Sequence, residues 1–192
     1  MQNYFKDLPE NYEKIKVIDA KDRKTILNMN LVGILIMLVS IVPLIIIKRV
    51  DLGEIEPIDM LIALLVYFAG MVIYVILHEL THGLVYKIMT KEKLTFGITL
   101  TCAFCGVPNI YVTKKTALLA ILAPFVLFTV IFLPIILILP ASLYNLALIL
   151  LFGTHTSGCV GDLYGTLVLS RLKGDILMND TGPTQTFYKK VD

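Results

Sequence analysis

The stretch VILHELTHGLVY, residues 75–86, places two histidines and a glutamate inside a long run of apolar side chains. The run extends from about Met60 to Met89, which is longer than a helix needs to cross the hydrocarbon core of a bilayer. Ionisable groups inside such a segment are costly to bury and usually have a functional reason to be there. The stretch therefore predicts a membrane-spanning helix with a polar centre inside it.

The composition of the whole chain is that of a membrane protein. Its 192 residues are 57% hydrophobic and 17% charged, whereas soluble domains carry about 45–50% and 25%. The segment from Thr116 to Gly161 has no Asp, Glu, Lys or Arg, and at about 20 residues per span it accommodates two spans. The length predicts a single membrane-embedded domain over residues 1–192, with an N-terminal segment 1–25 and a tail 171–192. The net charge of +2, without a basic stripe, gives no indication of nucleic-acid binding.

These patterns predict an all-α polytopic membrane protein with about four transmembrane helices. The predicted spans are 26–47, 60–89, 116–139 and 142–170. Between the second and third, LTFGITLT alternates apolar and polar residues, GVPN is typical of a turn, and NIYVT can form the return strand. We therefore expect a β-hairpin over residues 94–113. YEKIKVID near the N-terminus and TQTFYKKV in the tail can form further short strands.

The distribution of basic residues predicts the orientation. The N-terminal segment, the 87–115 segment and the tail hold six, five and four of the 17 Lys and Arg residues, and only Lys48 and Arg49 lie elsewhere. Because Lys and Arg collect on the cytoplasmic side, we expect both termini and the hairpin in the cytoplasm. The chain is then a multi-pass protein of the cell membrane, in contact with the lipid bilayer.

The segment HELTH matches the pattern H-E-x-x-H on a helix. Residues four apart share one helix face, so His78 and His82 can direct both imidazoles at one Zn²⁺ ion. Glu79 lies about 100° further round the helix, where it can accept a proton from a water activated by the metal. The spacing therefore predicts His78 and His82 as zinc ligands and Glu79 as the catalytic base.

A catalytic zinc site normally has a third protein ligand. The candidates are Glu92, His155 and Asp162, of which Glu92 lies in the basic stretch TKEKL and is expected to be a solvated surface charge. Counted from the outer ends of their helices, His78 lies about 27 Å deep, Asp162 about 30 Å and His155 about 20 Å. Depth therefore favours Asp162. His155 is expected either beside the ligands or substrate, or hydrogen-bonded between helices.

The cysteines and Asn109 could each have either a role in the site or a purely structural role. Cys102, Cys105 and Cys159 include a CxxC pair, but a lone pair cannot close a tetrahedral zinc site, and we expect small buried packing residues. Asn109 could help to hold a peptide next to the hairpin, although VPNI is also an ordinary turn.

HELTHG on a membrane helix, followed by a hairpin and a later helix with GD at 161–162, resembles the site-2 protease type of intramembrane zinc metallopeptidase. The chain is also similar to a small prokaryotic family of membrane zincin peptidases, through LPENYEKIKVIDAKDRKTI, HELTHG, LAP at 122–124, GD and NDTGP in the tail. The resemblance implies His78, His82 and Asp162 as zinc ligands and Glu79 as the base. The aspartate stands in GCVGDLYG, without the Asn-Pro-x-x-Asp-Gly-like context of site-2 proteases.

Together these observations predict a membrane-embedded zinc metallopeptidase whose partner is a membrane or membrane-associated protein substrate. The alternatives are a zincin that cleaves peptides at the membrane surface, and a non-catalytic membrane zinc protein that acts as a scaffold or in metal transport. Homo-oligomerisation is left open by the sequence.

Overall fold

The computed structural model describes residues 2–20, 22–49, 55–99 and 103–191. Cys102, a member of the CxxC pair discussed above, lies outside these residues. In chain order the elements are β1 (Tyr4–Phe5), β2 (Tyr12–Asp19), α1 (Arg23–Lys48), α2 (Pro57–Thr90), β3 (Thr95–Ile98), β4 (Ala103–Gly106), β5 (Tyr111–Thr113), α3 (Lys114–Ile138), α4 (Leu143–Gly158), α5 (Val160–Arg171), β6 (Ile176–Asp180) and β7 (Thr184–Lys190).

The prediction of an all-α protein is wrong. The described chain combines its helices with a five-stranded antiparallel sheet, in the order β1-β5-β6-β7-β2, and with the two-stranded sheet β3-β4. The five-stranded sheet cannot be predicted from short stretches of sequence. Several of its strands are short, and most of them pair with strands that are distant along the chain. The longest ladder, between β2 and β7, pairs Tyr12 with Lys190 and Asp19 with Thr184.

The hairpin between the second and third spans contains the predicted first strand, since β3 lies within LTFGITLT, but its return strand is not the predicted one. Strand β3 pairs with β4, with Thr95 opposite Gly106, whereas the predicted return strand becomes β5 and joins the larger sheet between β1 and β6. Val112 of β5 has no exposed surface. The larger sheet buries this apolar side chain, which a free two-stranded hairpin would leave partly exposed.

Four helical stretches among the described residues are long and apolar enough to cross a membrane: 23–48, 57–90, 114–138 and 143–171. The last consists of α4 and α5, which are interrupted at Cys159. In the first two, only 17% and 11% of the most apolar window is buried within the protein. So much exposed apolar surface is unstable in water and is compatible with a protein that lies in a membrane.

By contacts the chain divides into two units. The sheet unit comprises Met1–Asn28, His78–Pro124 and Gly161–Asp192, and the helical unit comprises Met29–Leu77 and Phe125–Val160. The helical unit has a core of Ile41, Leu44, Ile136, Ile149 and Phe152. The sheet unit contains the HELTH residues, both sheets and Asp162.

Candidate metal centre

The two motif histidines are adjacent on the buried face of α2. His78 and His82 are each only 8% exposed, and their Nε2 atoms lie 3.2 Å apart. The helical repeat produces this closeness, because side chains at positions i and i+4 lie one above the other. Both imidazoles therefore present a nitrogen to the same small volume.

Asp162, in the first turn of α5, completes the group. Its Oδ2 lies 3.3 Å from His78 Nε2 and 3.5 Å from His82 Nε2, and the three residues form a set of donor atoms that could hold a metal ion. Four ligands at about 2.0–2.1 Å around a tetrahedral zinc are about 3.3 Å from each other. The observed triangle therefore has the dimensions that a zinc ion requires of three of its ligands.

The hydrogen bonds around His82 show which atom faces the centre of this triangle. Its Nδ1 lies 2.8 Å from the carbonyl oxygen of Ala120, and because a carbonyl only accepts, Nδ1 must carry a proton. In the neutral imidazole Nε2 is then an acceptor directed at the Asp162 carboxylate. A proton on Nε2 or a metal cation between the two groups satisfies both acceptors. A backbone carbonyl behind a metal-binding histidine is also the usual way to hold its ring.

Glu79 follows His78 on α2 and is half-buried. The backbone N–H of Cys105, in β4, donates a hydrogen bond to its carboxylate. This contact links β4 to the helix that carries the histidines. It gives the glutamate a fixed partner, so that its carboxylate does not depend on solvent alone for its orientation.

The glycine that ends HELTHG marks where the hairpin packs on α2. A Cβ atom at Gly83 would lie 2.8 Å from Cζ of Phe96 and 3.3 Å from Sγ of Cys105. Strands β3 and β4 therefore lie directly over the helix, one residue after His82. The absence of a side chain at this position allows the strand that contacts Glu79 to approach so closely.

A buried carboxylate that the sequence patterns did not indicate lies close to this arrangement. Asp180, at the end of β6, is 4% exposed and accepts a hydrogen bond of 2.6 Å from the hydroxyl of Tyr86 on α2. Burial raises the pKa of Asp180 to about 6, although the bond from Tyr86 acts in the opposite direction. Its only signal in the sequence was the polar turn NDTGP within the tail.

The thiols that the structure describes are buried. Cys105 is 6% exposed and Cys159 has no exposed surface. Burial raises the pKa of the Cys105 thiol to about 12. Cys105 is therefore a neutral thiol at physiological pH, and a thiolate is the form that would bind a metal or act as a nucleophile.

His155 belongs to the helical unit, where it bridges two helices. Its Nδ1 lies 2.9 Å from the hydroxyl of Tyr74 on α2, and its Nε2 lies 3.1 Å from Oγ1 of Thr129 on α3. Aromatic rings surround it, with centroids 5.5–6.0 Å away: Tyr74, Phe125, Phe128, Phe132 and Phe152. This environment fits the alternative of a histidine that is hydrogen-bonded between helices.

The structure does not bring the remaining candidates to the histidine–aspartate triangle. Glu92 accepts a hydrogen bond of 2.8 Å from the hydroxyl of Tyr4 and forms an ion pair of 3.8 Å with Lys6. Asn109 is exposed in the turn before β5. Its neighbours Pro108 and Ile110 are fixed through their carbonyl oxygens by the side chain of Asn179.

The comparisons with known proteins agree with a zincin. The family described as "Putative zincin peptidase" matches residues 70–177, which is more than half of the chain and includes the HELTH helix and Asp162. Neither the curated proteins nor the solved structures gave a match. The chain belongs to the putative zincin peptidase family.

Proposed function

We propose that this protein is a membrane-embedded zinc metallopeptidase in which His78, His82 and Asp162 hold the metal and Glu79 is the catalytic base. The observation that carries the proposal is the triangle of 3.2, 3.3 and 3.5 Å between the three donor atoms. The family implies zinc, and two imidazoles with one carboxylate form a donor set that suits zinc.

When bound, zinc lowers the pKa of a coordinated water and polarises the carbonyl of the scissile peptide. Glu79 accepts a proton from the attacking water as the new C–O bond forms. It then returns this proton to the amide nitrogen as the C–N bond breaks, so that the amine leaves neutral and Glu79 is regenerated. The hydrogen bond from the N–H of Cys105 helps to orient the carboxylate for these steps.

The exposed strand β3 offers a place for an extended substrate. Its side chains Phe96 and Ile98 are 48% and 86% exposed, and in the described part of the chain its sheet contains no other strand than β4. An extended peptide can add to such an edge through main-chain hydrogen bonds. A membrane-spanning substrate would have to unwind locally first, because the amides of a helix are already bonded internally.

The five-stranded sheet supports the proposed orientation in the membrane. Its strands come from the N-terminal segment, from the segment before α3 and from the tail. Two candidate spans separate each of these segments from the next. Strands that hydrogen-bond to each other must lie on the same side of a bilayer, and the excess of Lys and Arg indicates the cytoplasmic side. The HELTH residues lie near the C-terminal end of α2. This end is on the proposed cytoplasmic side, so water would enter the site from the cytoplasm.

Replacement of Glu79 by glutamine tests the peptidase directly. The purified protein is assayed in detergent micelles against a library of quenched fluorogenic peptides, with zinc per chain measured on the same samples. We expect Glu79→Gln to keep its zinc and to lose about 10²–10⁴-fold in turnover, which is the usual contribution of a general acid–base group. A variant that cleaves as fast as the wild type would refute the role of Glu79. A zinc-loaded wild type that cleaves nothing would favour the non-catalytic alternative.

The choice of third ligand is tested by a pair of variants. Asp162→Asn should lower zinc content, because the amide loses the negative charge that faces the two imidazoles. His155→Gln should keep its zinc, since both nitrogens of His155 already lie beside hydroxyls. The opposite pattern, with zinc retained in the first variant and lost in the second, would overturn the assignment.

A further inference from the structure

We propose that Asp180 is a positioning residue for Glu79, acting through a closed chain of contacts that begins and ends on α2. This inference rests on the proposed function, since it gives Glu79 the role of base. We call the chain of contacts the Asp180 brace, and its members are Tyr86, Asp180, Val107, Cys105 and Glu79.

The first link of the brace fixes Asp180 to the zinc-binding helix. Tyr86 is 1% exposed and lies four residues after His82, on the same helix face. Its hydroxyl donates to Asp180 Oδ2 at 2.6 Å, and the backbone N–H of Gly182 donates to Oδ1 at 2.8 Å. Both carboxylate oxygens are therefore bonded, as a buried carboxylate requires. Bonds to a charged group are also the stronger ones.

The second link fixes the same turn to the end of β4. The backbone oxygen of Asp180 accepts a hydrogen bond of 2.8 Å from the N–H of Val107. The two chains are also in tight contact, because a Cβ atom at Gly106 would lie 2.5 Å from the backbone nitrogen of Gly182. Gly182 itself has φ +95, and a Cβ there would lie 2.1 Å from the ring of Phe104. Strand β4 therefore cannot move without moving the turn.

The third link returns to the helix. Cys105 lies between the two contact points on β4, and its N–H donates to the carboxylate of Glu79. Glu79 and Tyr86 are seven residues apart, or about 10 Å along the helix axis. The brace thus ties β4 to α2 at two points, and the position of Asp180 determines where the Cys105 amide meets Glu79. Asp180 contacts neither the three zinc-binding candidates nor Glu79 through any of its hydrogen bonds described above.

The brace can be tested by Asp180→Asn and Tyr86→Phe, with Tyr188→Phe as the matched control. An asparagine can accept from Gly182 with its one oxygen, but its amide nitrogen can only donate, so the Tyr86 hydroxyl loses its charged acceptor. The second variant removes only the donor hydroxyl. Tyr188 lies on β7 of the same unit, with its ring edge-to-face against that of Tyr111, so the control removes the same atom away from the brace.

Three measurements are made on each zinc-loaded protein: zinc per chain, hydrogen exchange of the amides of residues 103–107, and the separate values of kcat and KM. For Asp180→Asn and Tyr86→Phe we expect zinc to stay bound and exchange to become about tenfold faster, as for the loss of one hydrogen bond to a charged group. We also expect kcat to fall more than KM rises, since binding at β3 is not changed. The double variant should lose about as much as either single one, because the two residues act as a unit.

Unchanged exchange of residues 103–107 in the folded variants would overturn the brace, whatever the activity. Faster exchange with an unchanged kcat would overturn the positioning role. The exchange measurement does not depend on peptidase activity, so it separates a failure of this inference from a failure of the proposed function. If Asp180→Asn does not fold, Tyr86→Phe decides, because it leaves the carboxylate and its bond from Gly182 in place.

Discussion

Gly106 is the position where one added methyl group should most strongly perturb the sheet unit. In Gly106→Ala the new Cβ would lie 2.5 Å from the nitrogen of Gly182, 2.7 Å from the carbonyl carbon of Thr181 and 2.9 Å from the oxygen of Asp180. All three are backbone atoms, which cannot rotate away as the end of a side chain can. Restoring an ordinary contact of about 3.5 Å requires a shift of roughly 1 Å.

The free-energy cost of this shift follows from the contacts that it disturbs. The Val107 N–H to Asp180 carbonyl bond, now 2.8 Å, would lengthen to a distance at which a hydrogen bond is lost. Overpacking costs about 1–3 kcal/mol, and the lost bond costs about 1 kcal/mol. We therefore expect Gly106→Ala to lower the free energy of unfolding by about 2–4 kcal/mol.

Thermal unfolding in detergent, followed by circular dichroism, measures this effect. At roughly 2–4 °C per kcal/mol for a chain of this size, the midpoint should fall by about 4–16 °C. The control is Gly158→Ala, since a Cβ at Gly158 meets no described atom within 4 Å. We expect its midpoint to stay within about 2 °C of the wild type. If the unfolding midpoint of Gly106→Ala equals that of the wild type, the turn moves freely and the brace is refuted.

Three further predictions concern the metal, a buried acid and the helical unit. Chelation of zinc should lower the melting temperature, and added zinc should restore it. The reason is that a ligand at 1,000 times its Kd stabilises the folded state by about 4 kcal/mol. An unchanged melting temperature would contradict the metal site. Since burial raises the pKa of Asp180 from 3.8 to about 6, the folded chain keeps this proton to higher pH than the unfolded chain. Stability should therefore fall by about 2 kcal/mol as the pH rises from 4 to 7, and denaturation of Asp180→Asn should lack this component. Asn145→Ala, which removes an amide bonded to the carbonyls of Ile136, Leu139 and Pro140, should cost about 1–3 kcal/mol in denaturant titrations yet leave zinc per chain unchanged.

The helices could be predicted from the sequence because each is defined by its own residues. The predicted span 26–47 lies within α1 (Arg23–Lys48), and the predicted span 60–89 lies within α2 (Pro57–Thr90). Apolar runs and the charges that end them are local signals. Within the described helices, this approach missed the interruption at Cys159, which separates α4 from α5.

The sheet could not be predicted in the same way, because a strand is stabilised by its partners and not by itself. YEKIKVID and TQTFYKKV have strand character, and they became β2 and β7, but nothing in either segment indicates that they pair with each other. NIYVT was assigned to the nearest strand, since strands close in sequence usually pair. Its actual neighbours, β1 and β6, are contributed by the two ends of the chain.

Some residues of the candidate site could likewise be predicted from the sequence, and others could not. His78, Glu79 and His82 are related by the period of one helix, and counting helical rise brought Asp162 to a similar depth. Asp180 had no such relation to any of them, because its partner Tyr86 is 94 residues away and on a different element. The groups on one helix can be recognised from spacing, whereas the groups that hold a second element against that helix appear only once the chain has folded.

The helix α2 fixes the spacing of His78, Glu79 and His82, but a helix alone cannot fix the direction of a flexible glutamate side chain. The Cys105 N–H supplies that direction, and β4, which carries it, belongs to a sheet that has two strands in the described part of the chain. Such a pair is marginally stable by itself. The turn at Asp180 adds the missing support, because the five-stranded sheet holds β6 and β7 on both sides of it. The sheet that the all-α prediction omitted is therefore the part of the fold on which the orientation of the proposed base depends.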